Sequence, residues 1–317
     1  MPASTWRTSR SRVALVGAPH WAKILADLLA ACGIDSDFAA ELAAPAGPLS
    51  ARLRMIAWSL RMRPSVCPVI HHVWVSRALT LAWGIACRRI PQIMHWIGSD
   101  VLHVKELDTV RRRAWVTQMK RLARIQLADS PELAAEVADL GLPEPRVVRL
   151  LPRTLRGALR PMPEQFAALS YWSTNTFDFY KGDIVLRLAA EFPQVPFYIV
   201  GRCTAVPNAP PNVHFVGWAE DMDPWYDRAS VLIRLPTHDS VSVMVLEMLA
   251  RGRYAIYSRP FPHCRFADSY ETARQAFIEL QRETRPNLPG PDFVNQNFNP
   301  SQSIAALRQV YTELGLN

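Results

Sequence analysis

Short apolar runs alternate with segments of helical periodicity along most of the chain. The first run, Val13–Ala18, is followed by Trp21–Cys32, where apolar residues recur with helical spacing up to Gly33. A short apolar run predicts a buried strand, and the helical period predicts an amphipathic helix. Further strands are predicted at 69–75, 91–96, 125–130, 146–151, 166–172, 196–201, 213–217, 231–235 and 254–258. Strands that alternate with helices predict a parallel sheet and a doubly wound α/β fold.

One predicted helix, within the stretch Thr237–Gly252, differs from the others in composition. Its part Val241–Ala250 is apolar on nearly every side, which predicts a buried helix. Glu247 is the one ionisable side chain inside that part. Burial of an unpaired carboxylate is unfavourable by several kcal/mol, so Glu247 needs a partner. Asp239 stands at the helix entrance, where free main-chain N–H groups and the helix dipole favour an anion.

Cations stand at the ends of two neighbouring predicted elements. Lys181 lies in the segment Tyr180–Asp183, which opens the predicted helix 184–192, and Arg202 follows the predicted strand 196–201. A lysine in the first helical turn opposes the helix dipole unless an anion binds there. With the main-chain N–H groups of residues 240–242, the two cations predict a site for an anion, whose charge they would meet without a metal ion. An exposed arginine at a strand end is the alternative for Arg202.

The spacing of Asp239 and Glu247 resembles the Glu-x7-Glu pattern of retaining glycosyltransferases with the GT-B fold, family 4 in particular. The positions that match this frame are Asp239, Leu246, Glu247, Ala250 and Gly252. The resemblance implies two Rossmann-like doubly wound domains facing a central cleft. It also implies that the first acid holds sugar hydroxyls and the second holds the ribose of a nucleotide-sugar. The alternative is a helix-capping Asp239 and a Glu247 paired with Arg251 or Arg253.

The resemblance extends to the loops that hold the donor. Lys181 and Gly182 match a Lys-Gly pair whose lysine binds the donor diphosphate, whereas Thr176 stands where the family has an arginine. Arg202 is the expected substitute for that arginine. The donor-binding residues predicted in this way are Lys181, Gly201, Arg202, His238, Asp239, Ser240, Val241, Ser242 and Glu247.

The first half of the chain contributes the predicted catalytic residues. The segment Ile97–Val101 resembles a His-Gly-Ser-Asp loop of the family, with Ile97 in place of the histidine. His95 lies two residues before that position, on the same side of the pleat. Asp100 keeps the family position. His95 and Asp100 are therefore the candidate catalytic residues, and a plain helix-capping role is the alternative for Asp100.

A loop after the first strand contributes the predicted acceptor-side residues. Gly17 and His20 lie in this loop, which resembles a glycine-rich loop of the family. In this interpretation His20 faces the acceptor. The alternative is a histidine that is merely solvated.

Length and charge add a domain division. At 317 residues the chain suggests two domains. We predict an acceptor-side domain at 1–155, a nucleotide-sugar domain at 156–300 and a helix at 301–317 that crosses back to the first domain. Pro152–Pro163 lacks periodicity and is predicted as the linker. The net charge of +8 belongs to the first half, because residues 1–150 contain 20 Lys and Arg against 12 Asp and Glu.

Two basic segments carry much of this charge. Leu49–Arg63 predicts a basic amphipathic helix, and Arg111–Arg124 contains the densest cluster of cations. Such segments are typical of surfaces that bind anionic membranes, with an ordinary solvated face as the alternative. Because no recognised nucleic-acid motif accompanies them, we expect no nucleic-acid partner.

Composition also bears on compartment and metals. Five scattered cysteines without a CxxC spacing favour a reducing compartment and argue against a zinc site. No apolar run reaches the roughly eighteen residues of a membrane-spanning helix. Asp221 and Asp223 imitate an Asp-x-Asp metal motif, but they precede a short helix, where capping is expected. We expect a cytoplasmic protein, also peripheral at the inner face of the membrane, with neither metal nor cofactor.

These patterns and the resemblance together predict a function. The expected activity is retaining transfer of a sugar from a UDP- or GDP-linked donor to a glycan or lipid-linked acceptor. One alternative is a GT-B epimerase or phosphorylase, and another is a non-catalytic protein that binds a sugar nucleotide or a lipid. A nucleic-acid-binding protein, based on the basic first half, is the third.

Overall fold

The chain divides into two compact units, each built on its own parallel sheet. A computed structural model describes residues 13–38, 67–75, 80, 84–85, 87–203 and 205–316. One unit ends at Arg153 and is completed by the chain from Pro300 onward, and the other comprises Thr154–Asn299. The predicted helix Leu49–Arg63 lies outside the described residues.

The sheet of the first unit has six strands in the order β2-β1-β3-β4-β5-β6. Its strands are β1 (Val13–Gly17), β2 (Ser36–Phe38), β3 (Ile70–Val73), β4 (Gln92–Trp96), β5 (Ala123–Ala128) and β6 (Arg146–Val147). All their pairings are parallel. The helices described in this unit are Pro19–Ala31, Asp100–Lys105, Thr109–Leu122, Pro131–Asp139 and Pro300–Glu313. Arg124, the last cation of the basic segment Arg111–Arg124, lies in β5 rather than in helix Thr109–Leu122.

The first unit has a hydrophobic core on each face of its sheet. On one face, the helices Pro19–Ala31 and Pro300–Glu313 pack against the strands through Leu25, Leu307 and Tyr311. The other face is covered by helices that contribute Val101, Trp115, Met119, Leu133 and Val137. The C-terminal helix is therefore part of the core of the first unit.

The sheet of the second unit also has six strands, in the order β12-β11-β10-β7-β8-β9. These strands are β7 (Ala168–Tyr171), β8 (Phe197–Val200), β9 (Val213–Gly217), β10 (Val231–Arg234), β11 (Tyr254–Tyr257) and β12 (Arg265–Phe266). Every pairing is parallel. The described helices of this unit are Gly182–Glu191, Asp223–Arg228, Val243–Ala250, Tyr270–Gln281 and Pro289–Asn297, with a 3-10 turn at Thr174–Thr176.

The strand order of the second unit reverses between β7 and β10. From β7 the chain moves to β8 on one side, and from β10 it moves to β11 on the other side. Because such crossovers are right-handed, the two connecting helices cover opposite faces of the sheet. Helix Gly182–Glu191 shares a core with helix Tyr270–Gln281, whereas helix Val243–Ala250 packs on helix Pro289–Asn297. The loops after β7 and β10 thus flank a topological switch point.

The predicted linker is mostly part of the second unit. The main-chain N–H of Ala158 donates to Ala250 O at 2.8 Å, and that of Arg160 donates to Arg251 O at 3.1 Å. The buried guanidinium of Arg253 donates to Arg160 O at 3.3 Å. Pro152–Pro163 was predicted as the linker; from Thr154 onward this segment belongs to the second unit, where its main chain bonds to the end of helix Val243–Ala250.

Candidate functional site

The N-cap of helix Val243–Ala250 is Ser242, whose side chain accepts a hydrogen bond from Val245 N at 3.4 Å. The cap is thus a serine, and the alternative of a capping Asp239 is wrong. Asp239 lies three residues before the cap, and its Oδ1 accepts from Ser240 N at 3.1 Å. Its other oxygen lies 3.5 Å from the guanidinium of Arg234. The acid at the helix entrance is therefore half of an ion pair.

Arg234 is the residue of this site that sequence reasoning missed. It ends β10, and its side chain is only 12% exposed. The guanidinium lies 4.5 Å from the ring centroid of Tyr180 and 5.5 Å from that of Tyr171. Burial opposes its charge, but Asp239 and the neighbouring tyrosines raise the pKa of Arg234 above its ordinary value. A lone arginine within an apolar strand was the signal in the sequence.

Tyr171, the last residue of β7, and Tyr180, in the loop after β7, both contact Arg234 at the end of β10. Their rings meet edge to face at 5.2 Å, and both lie beside Arg234. Burial is the main reason that the pKa of Tyr171 is raised, while Arg234 and Arg202 act on it in the opposite sense. Tyr171 therefore lies within electrostatic reach of Arg234 at the end of β10 and of Arg202 in the loop after β8. The N–H of Thr237 also donates to Phe179 O at 2.8 Å, which ties the loop after β10 to the loop after β7.

The loop after β8 depends on Gly201. This residue has φ +126°, and a Cβ there would lie 2.1 Å from Trp172 O. Arg202 follows, and its main-chain carbonyl accepts from Thr174 N at 3.1 Å. Its guanidinium lies 5.3 Å from the ring centroid of Trp218, which is 52% exposed at the end of β9. The loops after β7, β8, β9 and β10 are thus linked side by side.

Lys181 stands at the start of helix Gly182–Glu191 in a left-handed conformation, with φ 51° and ψ 50°. Its ammonium donates to the main-chain carbonyl of Asp268 at 2.6 Å. A Cβ on Gly182 would lie 2.3 Å from the ring of Phe177, so only glycine fits after this lysine without movement of the ring. The ammonium has no carboxylate partner among the described residues and would have to rotate to meet a phosphate.

Glu247 is satisfied by a tyrosine rather than by an arginine. The hydroxyl of Tyr226 donates to its Oε2. Burial raises the pKa of Glu247, while that hydrogen bond and the charge of Arg251 lower it. Arg251 forms ion pairs with Asp223 and Asp227, and Arg253 donates to main-chain carbonyls. The predicted alternative, an arginine paired with the carboxylate of Glu247, is not what the structure shows.

The side of helix Val243–Ala250 that carries Glu247 borders a cavity of about 410 Å³. Residues of the segment that begins the unit and of the loop after β9 surround it. Its lining is Thr154, Leu155, Arg156, Ala158, Arg160, Asp221, Asp223, Glu247 and Arg251. The side chain of Asp221 accepts from the N–H of Asp223, the first residue of helix Asp223–Arg228, at 3.0 Å, while the N-cap Met222 makes no side-chain cap bond. Among the residues that the structure describes, no group of His, Cys, Asp and Glu has metal-binding geometry.

The two candidate catalytic residues of the first unit are buried, and this corrects the prediction. Asp100 is fully buried, and its carboxylate accepts from the main-chain N–H groups of Val75, Ile97 and Gly98 at 2.8–3.2 Å. Burial raises the pKa of Asp100, and these hydrogen bonds lower it. The carboxylate thus fixes the loop that follows β4 and has no open side for a substrate.

His95 is also fully buried and belongs to a hydrogen-bonded chain. Its Nε2 lies 2.8 Å from Val148 O, and its Nδ1 lies 3.1 Å from Nε2 of His71. The Nδ1 of His71 lies 2.7 Å from the hydroxyl of Tyr311 in the C-terminal helix. His95 is on the face of β4 that this helix covers, so its ring reaches protein atoms rather than ligand.

Of the predicted acceptor-side residues, Gly17 has a structural explanation. It has φ +127°, and a Cβ would lie 1.8 Å from Val73 O, so β1 and β3 could not approach as they do. His20 is exposed in the first turn of helix Pro19–Ala31, and its ring meets that of Trp21 edge to face. His238 and Val241 are partly exposed in the loop after β10.

The predicted basic surface is partly described. On helix Thr109–Leu122, Arg111, Arg113, Lys120 and Arg121 are exposed, as is Val110. Arg111 pairs with Asp108, while Arg112 donates to main-chain carbonyls of the preceding loop. In the described part of the chain, no helix is both long enough and apolar enough to span a membrane.

Comparison with known proteins defines the class of fold. No protein-family model and no curated protein matches the chain. Among solved structures, sucrose-phosphate synthase (tll1590) from Thermosynechococcus elongatus has a TM-score of 0.72 and 16% identity, covering 96% of this chain and 99% of its own. A glycosyltransferase from Rickettsia africae ESF-5 has a TM-score of 0.69 and 11% identity, covering 98% and 100%. Anabaena Alr3699/HepE in complex with UDP-glucose has a TM-score of 0.66 and 14% identity, covering 94% and 91%.

These structures share the fold of this chain over nearly its whole length. The chain has two Rossmann-like α/β domains with parallel sheets, which is the GT-B fold of glycosyltransferases. The predicted fold class is confirmed.

Proposed function

We propose that the protein is a glycosyltransferase that takes a sugar from a UDP- or GDP-linked donor, with the donor held by the second unit. The observation that carries this proposal is the convergence of the loops after β7, β8 and β10 at the reversal of strand order. Open α/β sheets bind ligands at such a point, outside the carboxyl ends of the strands. A UDP-glucose complex of one structure with this fold supports the choice of ligand.

The groups at this point suit a diphosphate. Arg202 and Lys181 supply cations, and the free N–H groups at the start of helix Val243–Ala250 supply oriented dipoles. During transfer the bond between the anomeric carbon and the diphosphate oxygen breaks, and its electron pair leaves with the nucleotide. These groups stabilise the charge where it develops. A new bond to an acceptor oxygen forms on the same face of the sugar, because we propose the retaining mechanism of family 4-like enzymes.

Glu247 is the proposed ribose-binding residue. Tyr226 occupies its Oε2, which leaves Oε1 to accept from ribose hydroxyls. The adjoining cavity has room for the nucleoside, and Trp218 offers an exposed ring at the end of β9. The proposed acceptor is a glycan or lipid-linked molecule, and the exposed cations of helix Thr109–Leu122 suit the anionic inner face of a membrane.

The burial of His95 and Asp100 favours a second candidate, a sugar-nucleotide-binding protein without transferase activity. Neither residue is available as a base or acid in the described structure. Release of UDP or GDP from the donor, measured with and without a panel of glycan and lipid acceptors, separates the two. A protein that binds the donor and releases no nucleotide under any of these conditions is the binding protein.

Donor binding itself is tested by Lys181→Ala and Glu247→Gln. A hydrogen bond to a charged group contributes about 1.5–3 kcal/mol, so each substitution should weaken binding of the matching nucleotide-sugar by about 10- to 100-fold. Isothermal titration calorimetry with UDP-glucose and GDP-mannose measures this. Lys120→Ala and Glu283→Gln, at exposed positions, are the matched controls and should leave the affinity unchanged. Unchanged affinity in both site variants would contradict the assignment.

A further inference from the structure

A second group of charged residues lies at the carboxyl ends of β10 and β11. We call it the Asp239 cluster, and it consists of Arg234, Asp239, Ser240, Tyr257 and Arg259. Arg234 ends β10, Tyr257 ends β11, and Arg259 follows two residues later. Strands β10 and β11 are neighbours, and Arg234 pairs with Tyr257 in their register. The cluster thus sits on the β11 side of the switch point.

Cationic groups outnumber anionic ones in this cluster. Asp239 is the one carboxylate, and Arg234 already neutralises it. The Nη1 of Arg259 donates to the main-chain carbonyl of Asp239, and no carboxylate among the described residues forms an ion pair with Arg259. One guanidinium therefore remains without a counter-charge. The start of helix Val243–Ala250 adds positive potential from its free N–H groups.

The cluster also contains a buried polar atom without a partner. Ser240 is 6% exposed, and its Oγ makes no hydrogen bond. Buried hydroxyls are nearly always paired, so an unpaired one next to an excess of positive charge indicates a place for a ligand oxygen. Tyr257 is also buried, and the nearby carboxylate of Asp239 contributes, after burial, to raising its pKa.

The order of the strands places this cluster relative to the donor, provided that the proposed function holds. Trp218 and Asp221 follow β9 at one edge of the sheet, and Asp221 shares the cavity with Glu247. The cations proposed to bind the diphosphate, Arg202 and Lys181, follow β8 and β7, which lie between β9 and β10. A donor with its nucleoside toward β9 and its diphosphate at the switch point extends its sugar toward β10 and β11. The sugar thus meets the Asp239 cluster.

We infer that the donor sugar carries a carboxylate, so that the substrate is a nucleoside diphosphate uronate, and that Arg259 binds this carboxylate. The inference deepens the proposed function and rests on it. A guanidinium binds a carboxylate through two parallel hydrogen bonds, and a hydroxyl offers neither that geometry nor a charge. Asp239, held by Arg234, is left to accept from sugar hydroxyls, and the unpaired hydroxyl of Ser240 lies in the same cluster.

The test compares neutral and acidic donors on the same nucleotide. Calorimetry of the full chain at fixed salt uses UDP, UDP-glucose and UDP-glucuronate, and GDP, GDP-mannose and GDP-mannuronate. We expect the uronate to bind at least tenfold more tightly than its neutral counterpart on the preferred nucleotide. Arg259→Gln should remove this preference while leaving the affinity for the bare nucleotide diphosphate unchanged. Arg282→Gln, an exposed arginine on the same unit, should retain the preference.

Three outcomes overturn the inference in distinguishable ways. Equal affinity of the wild-type chain for the neutral and acidic nucleotide-sugars would overturn the inference of a uronate donor and leave the proposed function intact. If Arg259→Gln weakens the bare diphosphate and the uronate by the same factor, Arg259 binds phosphate and not the sugar. If no nucleotide and no nucleotide-sugar binds, the proposed function itself is wrong.

Discussion

Single side chains decide what the candidate site can bind. Arg234 lies beside two tyrosine rings and forms an ion pair with Asp239 at the helix entrance. Removal of one member of a buried pair leaves the other charge uncompensated, so Arg234 and Asp239 depend on each other. Among the residues that the structure describes, Arg259 has no carboxylate partner, and this is the basis for proposing that it binds a ligand.

The buried histidines of the first unit form a chain whose protons can be assigned. Val148 O only accepts, so Nε2 of His95 carries a proton and its Nδ1 accepts from His71. Nδ1 of His71 then accepts from the hydroxyl of Tyr311. Both rings are neutral in this arrangement. Burial lowers the pKa of His95 to about 4, and burial, followed by the neighbouring His95 and His72, lowers the pKa of His71 well below its ordinary value.

Stability should therefore fall in mild acid. The unfolded histidine has a pKa near 6.5 and the folded His95 near 4, so the unfolded state binds the proton first as the pH falls. The free energy of unfolding is highest above pH 6.5 and should drop by about 3 kcal/mol for His95 alone by pH 4. Asp100, whose pKa is raised by burial, titrates in the opposite sense and offsets part of the loss.

Thermal melts between pH 7.5 and 4.5 measure this dependence. His95→Gln should show a shallower fall of Tm with pH than the wild-type chain. His214→Gln, the same substitution at an exposed position, should keep the wild-type slope. An identical slope in all three chains would show that the buried imidazole does not control the acid sensitivity.

At the scale of elements, the site depends on how closely the strand ends and loops approach one another. Gly201 allows the loop after β8 to pass over Trp172, and Gly17 allows β1 to meet β3. Helix Val243–Ala250 is only 8 residues long, and its start is fixed by Ser242. An isolated helix of this length is unstable in water, so tertiary packing must hold its free N–H groups in place.

Gly201→Ala tests the loop after β8. The new Cβ would lie 2.1 Å from Trp172 O, so the loop must move and Arg202 with it. We expect a loss of about 2 kcal/mol or more in the free energy of unfolding and at least tenfold weaker nucleotide binding. Gly217→Ala is the control, because Gly217 also has positive φ, at +80°, but nothing lies within 4 Å of its Cβ position.

The control should lose only the conformational term of about 1–2 kcal/mol and keep its nucleotide affinity. Denaturant unfolding and calorimetry measure the two quantities. Equal effects of both substitutions would show that positive φ, and not the close approach to Trp172, explains Gly201.

At the scale of the whole molecule, the two units differ in whether their hydrophobic core comes from one continuous stretch of the sequence. The core of the second unit is built entirely from residues between Thr154 and Asn299. The core of the first unit includes Leu307, Val310 and Tyr311, which follow the second unit in the sequence. Folding of the first unit therefore requires the end of the chain.

Fragments test this dependence. Residues 154–299 alone should fold cooperatively, while a chain that ends at Asn299 should lose the fold of its first unit. Burial of a large apolar side chain contributes about 1.5–3 kcal/mol, and at least three are lost together. Circular dichroism melts and amide NMR spectra of both fragments provide the measurement. A chain ending at Asn299 that melts like the full chain would contradict the role assigned to the C-terminal helix.

The sequence alone determined the α/β fold, since short apolar runs and helical periods are set by local burial. It also determined the position of Glu247 on a buried helix and of Asp239 in the loop before it, because a lone acid in an apolar segment is visible without coordinates. The strand at 91–96 was likewise predictable, but not the burial of His95 and Asp100. That burial depends on the C-terminal helix, on Val148 and on the main chain near Val75, all distant in sequence.

Only the tertiary structure decided which charges meet. In the sequence Arg234 is only a charged residue within an apolar strand. The pairing of β7 with β10 places Tyr171, Tyr180 and Asp239 around it. The carboxylate of Glu247 accepts a hydrogen bond from Tyr226 and does not pair with Arg251 or Arg253, the arginines that follow it in the chain. Periodicity fixes which face of an element is buried, whereas the partners of a buried charge come from elements that are remote in sequence.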